Sequence, residues 1–475
     1  MADIPLDRML QAYGLLDENL LPPKNEEEAR LLMEKAIKKQ EEQWYVKHYI
    51  QSYIDKHDLA KQLRLRVPYF YDKSKNWWLW NDIRFAWEVV DDTQLLTLIK
   101  RLCSSSTTKA NERNEILEAM KQEGRISMPK EIKKTWIQFK DKIVDYKTGQ
   151  EFKASPEYFV TNPIPFALNE DRFVETPVMD KIFEEWVGKD YVRTLYEILA
   201  YSLIPDYPIH RLFCFIGEGL NGKSCFLRLL KTFIGDENIT STELDTLLTS
   251  RFEVTKLHKK LVCMMGETNF AEMEKTSIIK KLTGQDTIGF EYKNKNPFDD
   301  FNYAKIVIAT NNLPTTTDKT IGFYRRWLII DFPNKFSEQK NILEDIPQEE
   351  YEILTVKCLI LLKDLMNKRE FHNEGTIEER ERRYEDHSDP LGKFIKETTE
   401  EDLNGFIWKF EFEKQFAEWL KANRFRSMTD IVIGRRMKER GISQEQRMAE
   451  WLIDGQHKAL RAWVGIKWKG GAITG

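Results

Sequence analysis

Residues 217–224 read Gly-Glu-Gly-Leu-Asn-Gly-Lys-Ser, the pattern G-x-x-x-x-G-K-[ST] of a phosphate-binding loop. Before it stands an apolar run, Leu212-Phe213-Cys214-Phe215-Ile216, the form of a buried strand. After it, Cys225 to Lys231 has helical composition. Strand, glycine loop and helix are the context that the pattern needs. Gly217, Gly219 and Gly222 let the backbone bend so that its N–H groups face phosphate oxygens. The helix N-terminus adds partial positive charge. The nucleotide-contacting set expected from the pattern is Gly217, Glu218, Gly219, Leu220, Asn221, Gly222, Lys223, Ser224 and Cys225. In such a loop the lysine, here Lys223, reaches the β- and γ-phosphates of ATP, and Ser224 coordinates Mg²⁺. The competing reading is a chance glycine turn, and the flanking strand and helix speak against it.

Outward from the loop, apolar strand candidates lie at 212–216, 261–265, 305–310 and 327–331, with helices near 223–233, 272–284 and 350–368. That alternation predicts an α/β unit with a parallel sheet over residues 206–370. The strand at 261–265 runs on to Gly266 and Glu267, a carboxylate placed to polarise the water that attacks the γ-phosphate. The strand at 305–310 ends in Asn311-Asn312. An amide there can hydrogen-bond that water or the γ-phosphate, whereas Asn312-Leu313-Pro314 also fits plain turn chemistry. Arg325-Arg326 follows in Gly322–Trp327. A guanidinium from one chain placed on a neighbour's γ-phosphate stabilises transition-state charge, against the alternative of surface ion pairing.

The chain has 475 residues, 41% hydrophobic and 32% charged, with net charge −4. Roughly three domains fit that length. The balance does not advertise nucleic-acid binding, so any such site must come from local basic patches. Cys103, Cys214, Cys225, Cys263 and Cys358 show no Cys-x-x-Cys spacing and read as reduced, mostly core residues. Neither a signal peptide nor an apolar run near 18 residues is visible, so a cytoplasmic protein with no membrane partner is expected.

Residues 1–55 read as a charged helical segment. Asn25 is its N-cap and Glu28 the third helical position, with Leu31, Leu32, Ala36 and Trp44 on the apolar side. Residues 56–205 mix helices and short strands. Their Trp77–Trp80 and Trp87 cluster suits an α+β core better than base stacking. Asp145–Gly149 reads as a hairpin turn. Residues 371–390, with Glu378–Arg383, read as a solvated helix leading into a linker. Residues 391–475 read as helix, basic helix with Arg435 and Arg436, then hairpin, which suggests a winged helix.

The order Gly217–Ser224, Glu267, Asn311 and Arg326 resembles a superfamily 3 helicase, a viral and plasmid branch of the AAA+ ATPases. Within it the chain is similar to the helicase part of phage, plasmid and poxvirus primase–helicases. Ser250-Arg251-Phe252, His258–Val262, Lys281–Asp286, Ala309–Pro314 and Tyr324–Trp327 carry the same resemblance. It spans about residues 55–470 and is strongest at 206–333. The resemblance implies ATP and Mg²⁺ as cofactors, with Lys223, Glu267, Asn311 and Arg326 as catalytic residues and Ser224 and Glu267 at the metal. It implies a ring, usually a hexamer, translocating 3′-to-5′ on single-stranded DNA and opening forks, with a primase or polymerase as a further partner class. A hairpin within 287–304 would line the channel through Tyr292, Lys293 and Lys295, and the basic helix would add Arg435 and Arg436. Lysine there contacts phosphate without reading sequence. Gly266 departs from many relatives, which carry a second acid or small polar residue beside the glutamate. The roughly 55 residues before the similar region are too short for a polymerase-like module, so primer synthesis is not expected. The alternatives are an ATPase that remodels or packages without separating strands, and an origin-binding initiator.

Overall fold

The computed structural model describes residues 35, 38, 55–103, 109–126, 128–169, 174–217, 219–266, 272–273, 275–292, 297–337, 342–422, 427–453 and 456–470, with the backbone alone at 449–453 and 456–458. The expected helix from Asn25 towards Lys56 lies almost wholly outside the described residues.

The first unit comprises α1 (Lys56–Arg66), β1 (Tyr69–Tyr71), β2 (Trp77–Asn81), β3 (Ala86–Val90), α2 (Asp92–Leu102) and α3 (Ala110–Ile126). Its strands form an antiparallel meander. The tryptophans are the core of this unit: Trp77, Trp78, Trp80 and Trp87 are all buried. A buried indole N–H needs an acceptor. Trp77 donates to Asp92 (2.6 Å), Trp78 to Asp72 (2.8 Å) and Trp87 to the Tyr158 carbonyl (3.0 Å). These rings are therefore not a stacking platform for bases. A second meander follows, β4 (Trp136–Phe139), β5 (Lys142–Asp145) and β6 (Glu151–Lys153). The turn between β5 and β6 puts Gly149 at φ 74°, in the left-handed region. Helices α4 (Pro177–Val187) and α5 (Lys189–Tyr201) then lead into the main sheet.

The main unit holds β7 (Leu212–Ile216), α6 (Lys223–Ile234), β8 (Ile239–Ser241), α7 (Leu244–Thr249), α8 (Arg251–Thr255) and β9 (Val262–Met265). It continues through β10 (Glu272–Met273), α9 (Ser277–Thr283), β11 (Thr287–Phe290), β12 (Phe298–Phe301), β13 (Lys305–Thr310), β14 (Thr315–Thr316), α10 (Ile321–Tyr324), β15 (Trp327–Asp331) and α11 (Gln348–Lys368). Five strands form one parallel sheet in the order β15-β7-β13-β9-β8. Every residue of β7, β9 and β13 is buried, which is why these strands are unbroken apolar runs rather than alternating ones. Phe213 and Phe215 face one core with α4, α5, α6 and α11. Leu212, Cys214 and Ile216 face the other, with α7, α9 and β11. Three-residue β8 is too short and polar to register as a strand in the sequence reading.

From β7 the chain runs to the far edge at β8, returns through β9 and β13, then crosses to β15 on the other side of β7. That reversal opens a crevice at the C-terminal ends of β7 and β13, the place where open α/β sheets bind ligands.

The last unit comprises α12 (Ile377–Ser388), α13 (Pro390–Thr398), β16 (Thr399–Trp408), α14 (Lys409–Ala422), α15 (Asp430–Glu439), β17 (Ser443–Ile453) and β18 (Gln456–Trp468). Its sheet is antiparallel, β16-β18-β17. Phe394, Phe412, Phe416, Ile433, Met437 and Trp463 form its core. Helix α12 departs from the expected solvated linker. Tyr384 is fully buried between Phe323 and Trp327, and its hydroxyl donates to the Pro314 carbonyl (2.8 Å). Arg383 donates to the Ile329 carbonyl on β15 (2.8 Å), giving that edge strand a covering partner. No described helix is long and apolar enough to cross a membrane.

Candidate active site at the phosphate loop

Residues 217 and 219–222 bridge β7 and α6 at the crevice. Glu218 lies outside the described residues. Gly222 stands at φ 93° and opens α6, so a left-handed backbone starts the helix without a Cβ penalty. A Cβ at Gly217 would lie 2.0 Å from Asn221 Nδ2 and 2.6 Å from the Phe332 carbonyl oxygen. Both glycines are dictated by close approach. Gly219 has open space around it, so crowding does not require it.

Lys223 is 7% exposed. Its Nζ donates to the Gly217 carbonyl, to Asn221 Oδ1 (3.2 Å) and to Asn311 Oδ1 (3.5 Å). Asn311 is there because β13 pairs directly with β7, with Thr310 opposite Ile216. The Gly217 N–H donates to the Thr310 carbonyl (3.4 Å). Lysine and asparagine, 88 residues apart, thus meet at one point. Ser224 is exposed and Cys225 half-buried on the first turn of α6. The loop offers a helix N-terminus, a cationic amine and a hydroxyl, a donor set that fits an anionic phosphate with its cation.

Strand β9, which leads to Glu267, pairs with β13 and not with β7. It is therefore roughly 10 Å from β7, two strand spacings away. Glu267 itself, like Lys293 and Lys295, lies outside the described residues. Gly266 has no neighbour that would exclude a side chain.

Arg326 sits at the other end of the sheet, where the Leu212 N–H donates to its carbonyl (2.7 Å). One length of β7, roughly 16 Å, separates it from the loop of its own chain. Its guanidinium is 7% exposed and donates to Thr283 Oγ1 (2.9 Å), the Lys280 carbonyl (3.3 Å) and the Gly322 carbonyl. Burial pulls its pKa down. Neighbouring Arg325 is exposed. Of the pair, Arg326 is engaged within its own chain and Arg325 is the exposed one.

Strands β11 and β12 form the expected hairpin, with Thr287 opposite Phe301 and Phe290 opposite Phe298. Tyr292, however, stacks on Phe298 (5.9 Å) and its hydroxyl lies 2.9 Å from His258 Nδ1. The opposite nitrogen, His258 Nε2, meets Asp300 (3.1 Å). Burial opposes ionisation of Asp300, but His258 and Lys259 outweigh it and hold the group as a carboxylate. That acceptor assigns the proton to Nε2, and Tyr292 donates to Nδ1. Tyr292 thus anchors the base of the hairpin against Phe298 and His258. Arg435 is exposed on α15, whereas Arg436 is largely buried against Asp389 (3.6 Å), the residue that caps α13. Arg436 thus packs against Asp389 within its own chain.

Sequence reasoning missed Asp331, whose carboxylate pairs with His387 (2.9 Å) at the end of β15. The signal was an acid closing an apolar strand, the same signal that singled out Glu267. It also missed Trp186 and residues 332–336, which flank the loop.

A family model described as "Family of unknown function (DUF5906)" matches residues 215–326, from the end of β7 to Arg326. Among solved structures, the apo structure of the NrS-1 C terminal region is similar at 15% identity, over 87% of this chain and 100% of the other, with a TM-score of 0.45. The A form apo structure of that region gives 13% identity, the same coverage and a TM-score of 0.44. Similarity this low identifies no activity.

Proposed function

We propose that the chain is a Mg²⁺-dependent ATP hydrolase that works as a superfamily 3-type ring and translocates on single-stranded DNA. The observation that carries the reading is the meeting of Lys223, at the head of α6, with Asn311, at the end of the adjacent parallel strand. In the reaction, Lys223 neutralises charge on the β- and γ-phosphates, and Asn311 orients the attacking water. Glu267 takes the proton of that water. Ser224, with Glu267, would hold Mg²⁺, which would supply further charge neutralisation. Arg325, exposed at the opposite end of the sheet, is the guanidinium available to a neighbour's phosphates, so the site is complete between two copies. A winged-helix role for residues 391–470 is supported by the element order α13-β16-α14-α15-β17-β18, with Arg435 facing outward.

A second reading, an ATPase that does not separate strands, draws on Tyr292 and Arg436 being engaged inside the chain. Hydrolysis with and without single-stranded DNA, run beside unwinding of a fork, separates the two. DNA-stimulated hydrolysis with unwinding, lost in Lys223→Ala and in Arg325→Ala, is the expected result. Hydrolysis indifferent to DNA, with the fork left paired by a verified oligomer, would move the assignment to the second reading.

A further inference from the structure

The phosphate loop is gripped from two sides by residues that play no part in the chemistry above. One jaw is Trp186, on the last turn of α4. A Cβ built on Gly222 would lie 2.5 Å from Cδ1 and Nε1 of its indole. That ring is buried and packs with Phe226 and Phe332. The other jaw is the segment after β15. The Phe332 N–H donates to the Ile216 carbonyl (2.7 Å), and the Phe336 N–H to the Leu220 carbonyl (2.7 Å). Asn221 Nδ2 donates to the Phe332 carbonyl (3.3 Å). The jaws are joined to each other, because Asn334 Nδ2 donates to the Glu185 carbonyl (2.7 Å), one residue before Trp186.

We infer that Trp186 is a positioning residue for the phosphate loop, with residues 332–336 as the opposing strap, so that nucleotide binding is felt at the indole and at the Leu220–Phe336 hydrogen bond. A glycine loop loses more backbone freedom on ordering than any other segment. A circuit of loop, strap, α4 and indole holds it in a receptive shape before the ligand arrives, and preorganisation of that kind acts on affinity. The inference rests on the nucleotide reading and deepens it.

The test uses the full chain and Mg-ATP. Phe336→Pro removes one N–H donor at a half-buried position, and Asn334→Ala cuts the tie between the jaws on the surface. Trp186→Phe keeps an aromatic ring, and Trp186→Leu does not. Phe336→Pro and Trp186→Leu are expected to raise the nucleotide Kd and KM about tenfold, the loss of one good hydrogen bond or its packing equivalent, with kcat changed far less. Asn334→Ala moves Kd in the same direction by a smaller factor, and Trp186→Phe restores most of the affinity. Tryptophan emission should change on ATP addition in the wild type, and that change should vanish in Trp186→Phe. Should Trp186→Leu prove unstable, Phe336→Pro and the emission change decide alone. Wild-type Kd in Phe336→Pro, or an emission change that persists in Trp186→Phe, overturns the inference while leaving the nucleotide site intact. A wild type that binds no nucleotide sinks the nucleotide reading itself, and this inference with it.

Discussion

A methyl group at position 222 has nowhere to go. The left-handed backbone alone disfavours it by about 1–2 kcal/mol, and the Trp186 ring already occupies the space. Gly222→Ala should therefore abolish nucleotide binding, measured by displacement of a fluorescent ATP analogue, whereas Gly219→Ala, with open space around it, should retain most of it. The two arginines should separate in the same way. Arg326→Ala deletes donors to Thr283 and two carbonyls, so a loss of about 2–4 kcal/mol is expected in denaturant unfolding. Arg325→Ala should unfold like the wild type, within about 0.5 kcal/mol, and lose hydrolysis. At the foot of β13, Lys305 is wholly buried, donates to the Ile204 carbonyl and lies 5.1 Å from the Tyr201 ring. Burial brings its pKa down to about 7, while the unfolded chain keeps that proton to about pH 10.4. Between pH 7 and 8.5 the unfolded state thus binds more protons, and Lys305 makes stability rise with pH. Buried Cys214, Cys263 and Cys358, all pushed up by burial, act in the opposite sense near the top of that window. The clean quantity is wild-type stability minus that of Lys305→Met, which should climb by about 1.4 kcal/mol per pH unit. A flat difference would mean that Lys305 keeps its proton.

Asp389 joins two elements. It caps α13 through the Gly392 N–H (3.1 Å) and holds Arg436 (3.6 Å) and Arg440 of the α15 end. Asp389→Ala removes a cap worth about 1 kcal/mol and leaves largely buried Arg436 without its carboxylate. The expected total is about 2–4 kcal/mol, seen as faster amide exchange across α13 and α15 while the main sheet stays protected. What the sequence made legible follows the same physics. Strands β7, β13 and β15 were readable to the residue because burial on both faces makes their interiors apolar runs. The Gly149 turn was readable from its turn residues, and the β11–β12 hairpin was expected from the family resemblance. Helix α12 was readable as a helix but not as a packed one, because Glu378–Arg383 carries the composition of a solvated face and Tyr384, one residue further on, enters the core. Strand β16 was hidden by Glu400-Glu401-Asp402, which sit at an edge where polar residues cost little. The intrachain partners of Tyr292 and Arg436 were not legible for one reason: a tyrosine or arginine suits DNA equally well whether or not it already has a partner, and the partners His258 and Asp389 are 34 and 47 residues away.

At the scale of the whole molecule, the sheet order decides what each strand end can do. Insertion of β13 between β7 and β9 sets Asn311 beside Lys223 and leaves the strand that leads to Glu267 one place further out. The same sheet puts Arg325 a strand length from the loop of its own chain, so in the proposed reaction its guanidinium would act on the site of another copy. With a net charge of −4, the proposed DNA contact would fall to local cations such as Arg435, and binding should weaken with salt according to a small number of phosphates engaged. The most direct measurement is ATP hydrolysis, with single-stranded DNA present, by a mixture of Lys223→Ala and Arg325→Ala chains. Each variant alone should be inactive, and mixing should recover a substantial part of the wild-type rate, because some interfaces pair an intact loop with an intact arginine. Two inactive variants that stay inactive when mixed, despite forming a common oligomer, would contradict a nucleotide site shared between copies.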